Sequence, residues 1–413
     1  MKAIHKIAIQ IPFILLFLII VGMFTNDTQG ILNISTVLLF LYSIYTIITK
    51  KINIIDGLIK LIKGRKILFL FMSWCLLCAM FFTYSGFTQE ALKAIFEDWR
   101  YIIVLTLFLL TFQHDEIKSK NVIIYALIAT LAFIIFIMPI LKLIKGSDMA
   151  MYLQLRYGFA HYMTLLFPFT FVGLFLVKNI YFKITLLFLS IFAFLFILYT
   201  GSRGGALAIV IESGIILILV ASNLKKLVTY GLIFTISLFS ITYLSYIYIP
   251  QVKNKVNQSL NSSNITSSRD KIITVRYPII MSNIQNNIHG IGYGGVSYNQ
   301  YLNDNNVEAI KGASGYSDKK QMMTHNNDEP FLLSIPYNIG YIGLLLFCVA
   351  FFIYMRDLYL SFKLKKDILT IGIFVSSIGY FLVYCLFEFI FLDIFILYNI
   401  LTAIFINRVL TKK

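Results

Sequence analysis

Residues 122–141 read Val122-Ile123-Ile124-Tyr125-Ala126-Leu127-Ile128-Ala129-Thr130-Leu131-Ala132-Phe133-Ile134-Ile135-Phe136-Ile137-Met138-Pro139-Ile140-Leu141, with no charged side chain between Asn121 and Lys142. A helix rises about 1.5 Å per residue, so a run of this length covers the roughly 30 Å of a bilayer's hydrocarbon, and it is far too long for a buried strand. Comparable apolar runs recur near 8–24, 31–48, 67–85, 100–113, 158–177, 182–200, 205–221, 227–249, 330–355, 368–389 and 391–407. The alternation of an outer-membrane barrel, short segments of period two, is absent. The expected fold is therefore all-α, a polytopic integral membrane protein with about twelve transmembrane helices.

Composition says the same. Of 413 residues, 59% are hydrophobic and 13% charged, and Phe and Tyr number 38 and 26. A soluble domain could not hide that much apolar surface. The runs divide the chain into spans one to nine over 1–249, one long polar segment over 250–329, and three last spans over 330–413.

Orientation follows from Lys and Arg. With both termini inside, the cytoplasmic segments carry 21 of them, the short outer loops 6 and the polar segment 8. Positive residues accumulate on the cytoplasmic side of short loops, so the polar segment is expected to face the periplasm from a bacterial inner membrane. The net charge of +16 has the same origin. Contact with anionic membrane lipids accounts for it, and no nucleic-acid partner is implied.

Lys2 and Lys6 before an apolar run suggest a signal peptide, but Met23-Phe24-Thr25-Asn26 offers no small-residue cleavage site, and a retained first span is expected. Cys75, Cys78, Cys348 and Cys385 all fall within apolar runs. The Cys75/Cys78 pair has no nearby His or charged partner, and packing is expected of it.

The polar residues crowd toward one face. Phe87 to Arg100 has Leu92, Ile95 and Phe96 at helical spacing among charges, an amphipathic helix that leads Arg100 into the next span. Arg156 and Tyr157 open a span that carries His161 one turn later, and Thr200-Gly201-Ser202-Arg203-Gly204-Gly205 ends another. Within 250–329, Asn254 to Ser268 reads as a loose solvated loop, whereas Asp270 to Ile284 has helical spacing and carries Arg276. The cluster His289-Gly290-Ile291-Gly292-Tyr293-Gly294-Gly295 permits a tight turn or a close backbone approach to a ligand. Without a preceding strand it is no dinucleotide site. The segment closes on Thr324-His325-Asn326-Asn327-Asp328-Glu329.

An arginine fork matches phosphate oxygens bidentately and keeps its charge, so Arg203 and Arg276, with Arg100 or Arg156, suit a pyrophosphate. A histidine can take a proton from a sugar hydroxyl near neutral pH, which suits His325. Plainer readings stand beside these: Arg203 as an anchor at the membrane surface, Arg276 as a solvated charge, His325 as a ligand of local backbone, His161 as a bonded or cavity-lining group. Glu212 and Glu388 lie within spans, where each should face a polar cavity or pair with an arginine or lysine. Asp328 and Glu329 beside His325 lack the further ligands of a metal site, and none is expected.

The arrangement resembles the bacterial O-antigen ligase and polymerase group. The matching features are Ser202-Arg203-Gly204 at a span end, Arg276 in a helical segment, the His289-to-Gly294 turn, Thr324-His325-Asn326, and Asn338-Ile339-Gly340-Tyr341-Ile342-Gly343-Leu344. They cover the chain from about residue 150 onward, and His-Asn followed by Gly-x-x-Gly is the most specific part. The resemblance implies an inner-membrane glycosyltransferase of GT-C-like helical fold that needs no metal or other cofactor. Its donor would be an undecaprenyl-pyrophosphate-linked glycan, and its acceptor, in the ligase, a sugar of the lipid A core. Arg203 and Arg276 would bind the pyrophosphate and His325 would act on the acceptor hydroxyl, with Arg100, Arg156, His161, Asn326 and Tyr293 contributing to substrate binding. The acidic Asp328-Glu329 departs from the group's neutral residues and leaves acceptor preference open. The alternatives are a polymerase joining lipid-linked repeats and a transporter of the same lipid. A transporter is expected to show internal halves with broken helices and a midplane site, whereas here the polar features crowd onto one face.

Overall fold

The computed structural model describes residues 10–25, 28–144, 156–261, 269–310, 314–317, 322–325, 330–364 and 366–406. The described residues are 86% helical, and the protein is an all-α multi-pass membrane protein. Among the described residues, eight helices are long and apolar enough to cross a membrane. A ninth arises if Ile54–Gly64 and Lys66–Phe81, which meet at 93°, count together. Among the described residues each of the twelve apolar runs is mostly helical, but they differ in length. Ile11–Met23 and Leu392–Ile406 are shorter apolar helices. The run at 100–113 forms the second half of Thr88–Thr111, whose first half is the amphipathic segment.

Local chemistry explains several helix ends. Asn179, Ser202, Asn223 and Asp367 each precede a helix in extended backbone and accept from the first free N–H groups, which a helix cannot satisfy itself. The loose loop expected over Asn254 to Ser268 is instead helical as far as Asn261, in Pro250–Asn261, and 262–268 lie outside the described residues.

The chain divides into two compact units. The first comprises Met1–Ile55, Val104–Asn261 and Leu358–Tyr384. Its centre is the helix Arg156–Leu176, packed against Ile180–Thr200, Arg203–Val220 and Ile368–Ser376. Val172, Ile216, Ile371 and Val375 form one buried cluster there. Lys120 and Asp367 pair at 2.8 Å.

The second unit comprises Asp56–Ile103, Ser262–Asp357 and Cys385–Lys413. It holds most of the polar segment, as helices Arg269–Met281, Ile284–His289 and Gly295–Asp304 followed by two short strands, β1 (Ser314–Ser317) and β2 (Met322–His325). The strands pair antiparallel with Ser314 opposite His325. Ile280, Tyr298, Leu302 and Tyr337 are buried together beneath them. Phe71, Phe347 and Phe395 interlock deeper in the unit, and buried Arg65 pairs with Asp357.

The helix Phe331–Leu364 is broken at Ile339 and Gly340, where Gly340 has φ +72°. The glycine turn docks into this break backbone to backbone. Ile291 N–H donates to Tyr337 O at 2.8 Å and Gly292 N–H to Asn338 O at 3.2 Å, while Gly294 N–H reaches Asn338 Oδ1 at 3.2 Å. The Trp74 indole N–H takes the Ile339 carbonyl at 2.8 Å. A Cβ on Gly290 would collide with the Asn338–Ile339 peptide, and one on Gly340 with the backbone at Ile288 and His289. The glycines serve both roles: Gly290, Gly292 and Gly294 take positive φ in the turn, and the close approach is made to another part of the chain.

Candidate functional site

Arg276 and His325 come together in the second unit, and neighbouring residues of one helix hold them. In Gly295–Asp304, Tyr298 accepts a hydrogen bond from Arg276 Nη1 at 2.7 Å, and the guanidinium also sits 5.8 Å from the Tyr298 ring centre. Next to it, Asn299 Oδ1 accepts from the His325 backbone N–H at 2.6 Å. Asn299 is itself fixed by donating to Gly295 O at 2.7 Å. One turn on, Asn303 donates to Met323 O at 2.8 Å, so two side chains four residues apart bind strand β2 along one helix face.

Both side chains are out of water. Arg276 is 0% exposed and His325 3% exposed. Arg276 is therefore no solvated loop charge; a cation is buried only where partners offset the loss of hydration. His325 is not in an Asn-rich turn but ends β2, which aims its ring at the opposite residue of the ladder. Nδ1 lies 3.0 Å from Ser314 Oγ, and that hydroxyl also accepts from the Ile310 N–H at 3.1 Å. Nε2 is buried and meets no protein donor or acceptor among the described residues. It is the nitrogen left for a ligand.

Burial, aided by the Arg276 charge, pushes the His325 imidazole down to about 4. It is neutral at physiological pH, as a base must be.

Of the remaining candidates, Tyr293 belongs to this unit and donates to Asp98 Oδ2 at 2.9 Å. Arg100 Nη2 donates to the Tyr101 hydroxyl, with the guanidinium 4.6 Å from that ring's centre. Asn326, Asp328 and Glu329 lie outside the described residues. Arg203 and His161 belong to the first unit. Arg203 is exposed in the first turn of Arg203–Val220, just after the Ser202 cap. His161 is a bonded interior histidine whose Nδ1 lies 3.0 Å from the Tyr380 hydroxyl, with the Tyr384 ring edge-on at 4.7 Å. Arg156 begins its helix, but its side chain is outside the described set.

The intramembrane carboxyls differ. Glu388 is buried and has a partner. Glu212 is buried with neither an arginine nor a lysine paired to it among the described residues. Cys75 and Cys78 are buried free thiols. Among the described residues no group of three or more His, Cys, Asp or Glu could hold a metal ion.

Sequence reasoning overlooked Tyr298, Asn299, Asn303 and Ser314. The i, i+4 spacing of Asn299 and Asn303 was the available signal; Ser314 had none, because its pairing with His325 depends on strand register. No protein-family model matches the chain, and no curated protein matches it.

Proposed function

We propose that the protein is a membrane glycosyltransferase that moves a glycan from undecaprenyl pyrophosphate to a sugar hydroxyl, and that, following its resemblance to the O-antigen ligase group, the acceptor is the lipid A core at the periplasmic face. The observation that carries the reading is the buried pair Arg276 and His325, held by Tyr298 and Asn299: a fixed anion ligand beside a neutral imidazole with one nitrogen open. The same reading extends the architecture to twelve spans of GT-C-like arrangement, with termini in the cytoplasm.

The chemistry follows from the charges. Arg276 presents its fork to the donor pyrophosphate, and bound phosphate oxygens offset the cation that helps to hold His325 down. Donor binding thereby makes His325 a stronger base when it is needed. Nε2 then takes the proton of the acceptor hydroxyl as that oxygen bonds to the anomeric carbon. The bond to the pyrophosphate breaks, the electron pair leaves with the phosphate, and the anomeric centre inverts. Arg276 stabilises the growing negative charge.

Transfer from a purified lipid-linked donor tests the reading. His325→Ala should lower turnover by about 10²-fold or more, and near-normal turnover would remove the base. In a deletion strain, loss of all capped lipopolysaccharide identifies the ligase, whereas a cap of one repeat identifies the polymerase.

A further inference from the structure

The helix Arg203–Val220 reads RGGALAIVIESGIILILV, and past its first residue Glu212 is its one ionisable side chain. Glu212 is 0% exposed, and neither carboxyl oxygen accepts a hydrogen bond from any described residue. A carboxyl in hydrocarbon is costly unless something answers its charge, and such groups face ion or proton paths more often than they serve packing.

The element opposite is irregular. The helix Ile368–Ser376 runs into a π-helical turn, Ser377–Val383, a geometry found mostly as single turns at functional sites. Gly379 of that turn lies directly against the Glu212 carboxyl, and even a methyl group at this position would collide with it. The next residue, Tyr380, bonds His161 of the helix Arg156–Leu176 at 3.0 Å. The remaining titratable groups on elements packed against this helix are Tyr162, Tyr181 and Tyr199, Lys183 near the start of Ile180–Thr200, Lys225 and Lys226 at the start of Leu224–Tyr248, and that helix's tyrosines, with Arg156 and Tyr157 at the start of Arg156–Leu176 having side chains outside the described set. None of these lysines forms a salt bridge with Glu212.

We infer that Glu212, seated against the π-turn at Gly379 beside the His161–Tyr380 pair, is an exchangeable site for a small monovalent cation, a proton or Na⁺, in the interior of the first unit. The site is independent of the glycosyl-transfer reading, because neither Glu212 nor Gly379 takes part in that reaction. Gly379 provides the room and Glu212 the charge. The π-turn is an irregular element beside them that can change its hydrogen bonding as the cation comes and goes.

Whole protein in lipid nanodiscs, treated with the hydrophobic reagent dicyclohexylcarbodiimide and digested for mass spectrometry, tests the site. The protonated carboxyl adds across one C=N bond, its proton going to nitrogen, and the adduct rearranges to an acylurea with no atom lost. An adduct at Glu212 that declines as pH rises and ignores Na⁺ identifies a proton site. One suppressed at fixed pH by Na⁺ but not by K⁺ identifies a sodium site. No adduct at Glu212, or a yield that changes with neither pH nor salt, overturns the proposal, since the carboxyl is then sealed or permanently neutral. Glu212→Gln must lose the adduct, which assigns the signal. Gly379→Ala, which forces the carboxyl aside, should shift its dependence on pH or Na⁺, and an unchanged profile also counts against the site.

Discussion

At the scale of single residues, the second unit turns a position in a β-ladder into a chemical assignment. Ser314 faces His325 across two strands, so Nδ1 is occupied and Nε2 is the nitrogen open to a substrate. Ser314→Ala leaves the ring in its pocket without the partner that fixes its tautomer, and should lower turnover by about tenfold or more with little change in donor KM. An unchanged kcat would release Ser314 from any part in orienting the base. The Arg276 charge gives a second test. His325 is held at about 4, first by burial and then by Arg276. Both causes disfavour the charged ring, so the neutral form persists as pH falls through the usual histidine range near 6.5 and is lost only near 4. Arg276→Gln removes the second cause but not the first, and the histidine should titrate higher while staying below its ordinary value. NMR of the ring-labelled protein reads this directly, and a titration that does not move would separate the two side chains. Arg276→Lys keeps the charge and loses the fork, so donor KM should rise by about tenfold or more, and wild-type donor affinity would count against bidentate binding.

At the scale of elements, the site depends on two glycine motifs that meet each other. Gly290 and Gly340 lie where the glycine turn enters the break of Phe331–Leu364, and each approaches backbone that a Cβ would strike. Gly340→Ala adds this collision to the strain of a left-handed backbone at φ +72°, and should cost at least about 1–2 kcal/mol. Gly231, with open space around it, provides the control: alanine there favours the helix and should leave the thermal midpoint unchanged or raised. Equal midpoints for the two variants would refute the docking. The motifs were legible in the sequence as glycines needing room, and Arg276 was legible as part of a helix by its spacing. That glycine met glycine, and that Tyr298 and Asn299 held the two functional groups, was not. Those contacts join segments far apart in the chain, whereas periodicity reports only neighbours along one element. The helix as far as Asn261 was hidden differently: Val252, Val256 and Leu260 do recur every four residues, but the Asn, Gln and Ser around them give the composition of a loop.

At the scale of the whole molecule, the apolar runs were the clearest signal because length alone separates a spanning helix from a strand. The signal is weaker where runs are short or charged: Ile11–Met23 and Leu392–Ile406 are shorter apolar helices among the described residues, and Thr88–Thr111 carries charges through its first half. Orientation rests on a different property, the placement of Lys and Arg, and it can be tested apart from the chemistry. Glu308 of the polar segment and Lys60 of the Ile54–Gly64 helix are both exposed, and the charge distribution assigns them to opposite sides. Three native cysteines are buried, at 75, 78 and 385, so single cysteines introduced at these two positions can be read above a small background. A membrane-impermeant maleimide added to cells with a permeabilised outer membrane should label Glu308→Cys at once and Lys60→Cys only after lysis. The reverse order would put Arg276 and His325 in the cytoplasm, away from any periplasmic acceptor, and the ligase reading would fall even if both residues proved essential. Labelling of both before lysis would instead place the Ile54–Gly64 helix outside and remove one crossing from the expected twelve.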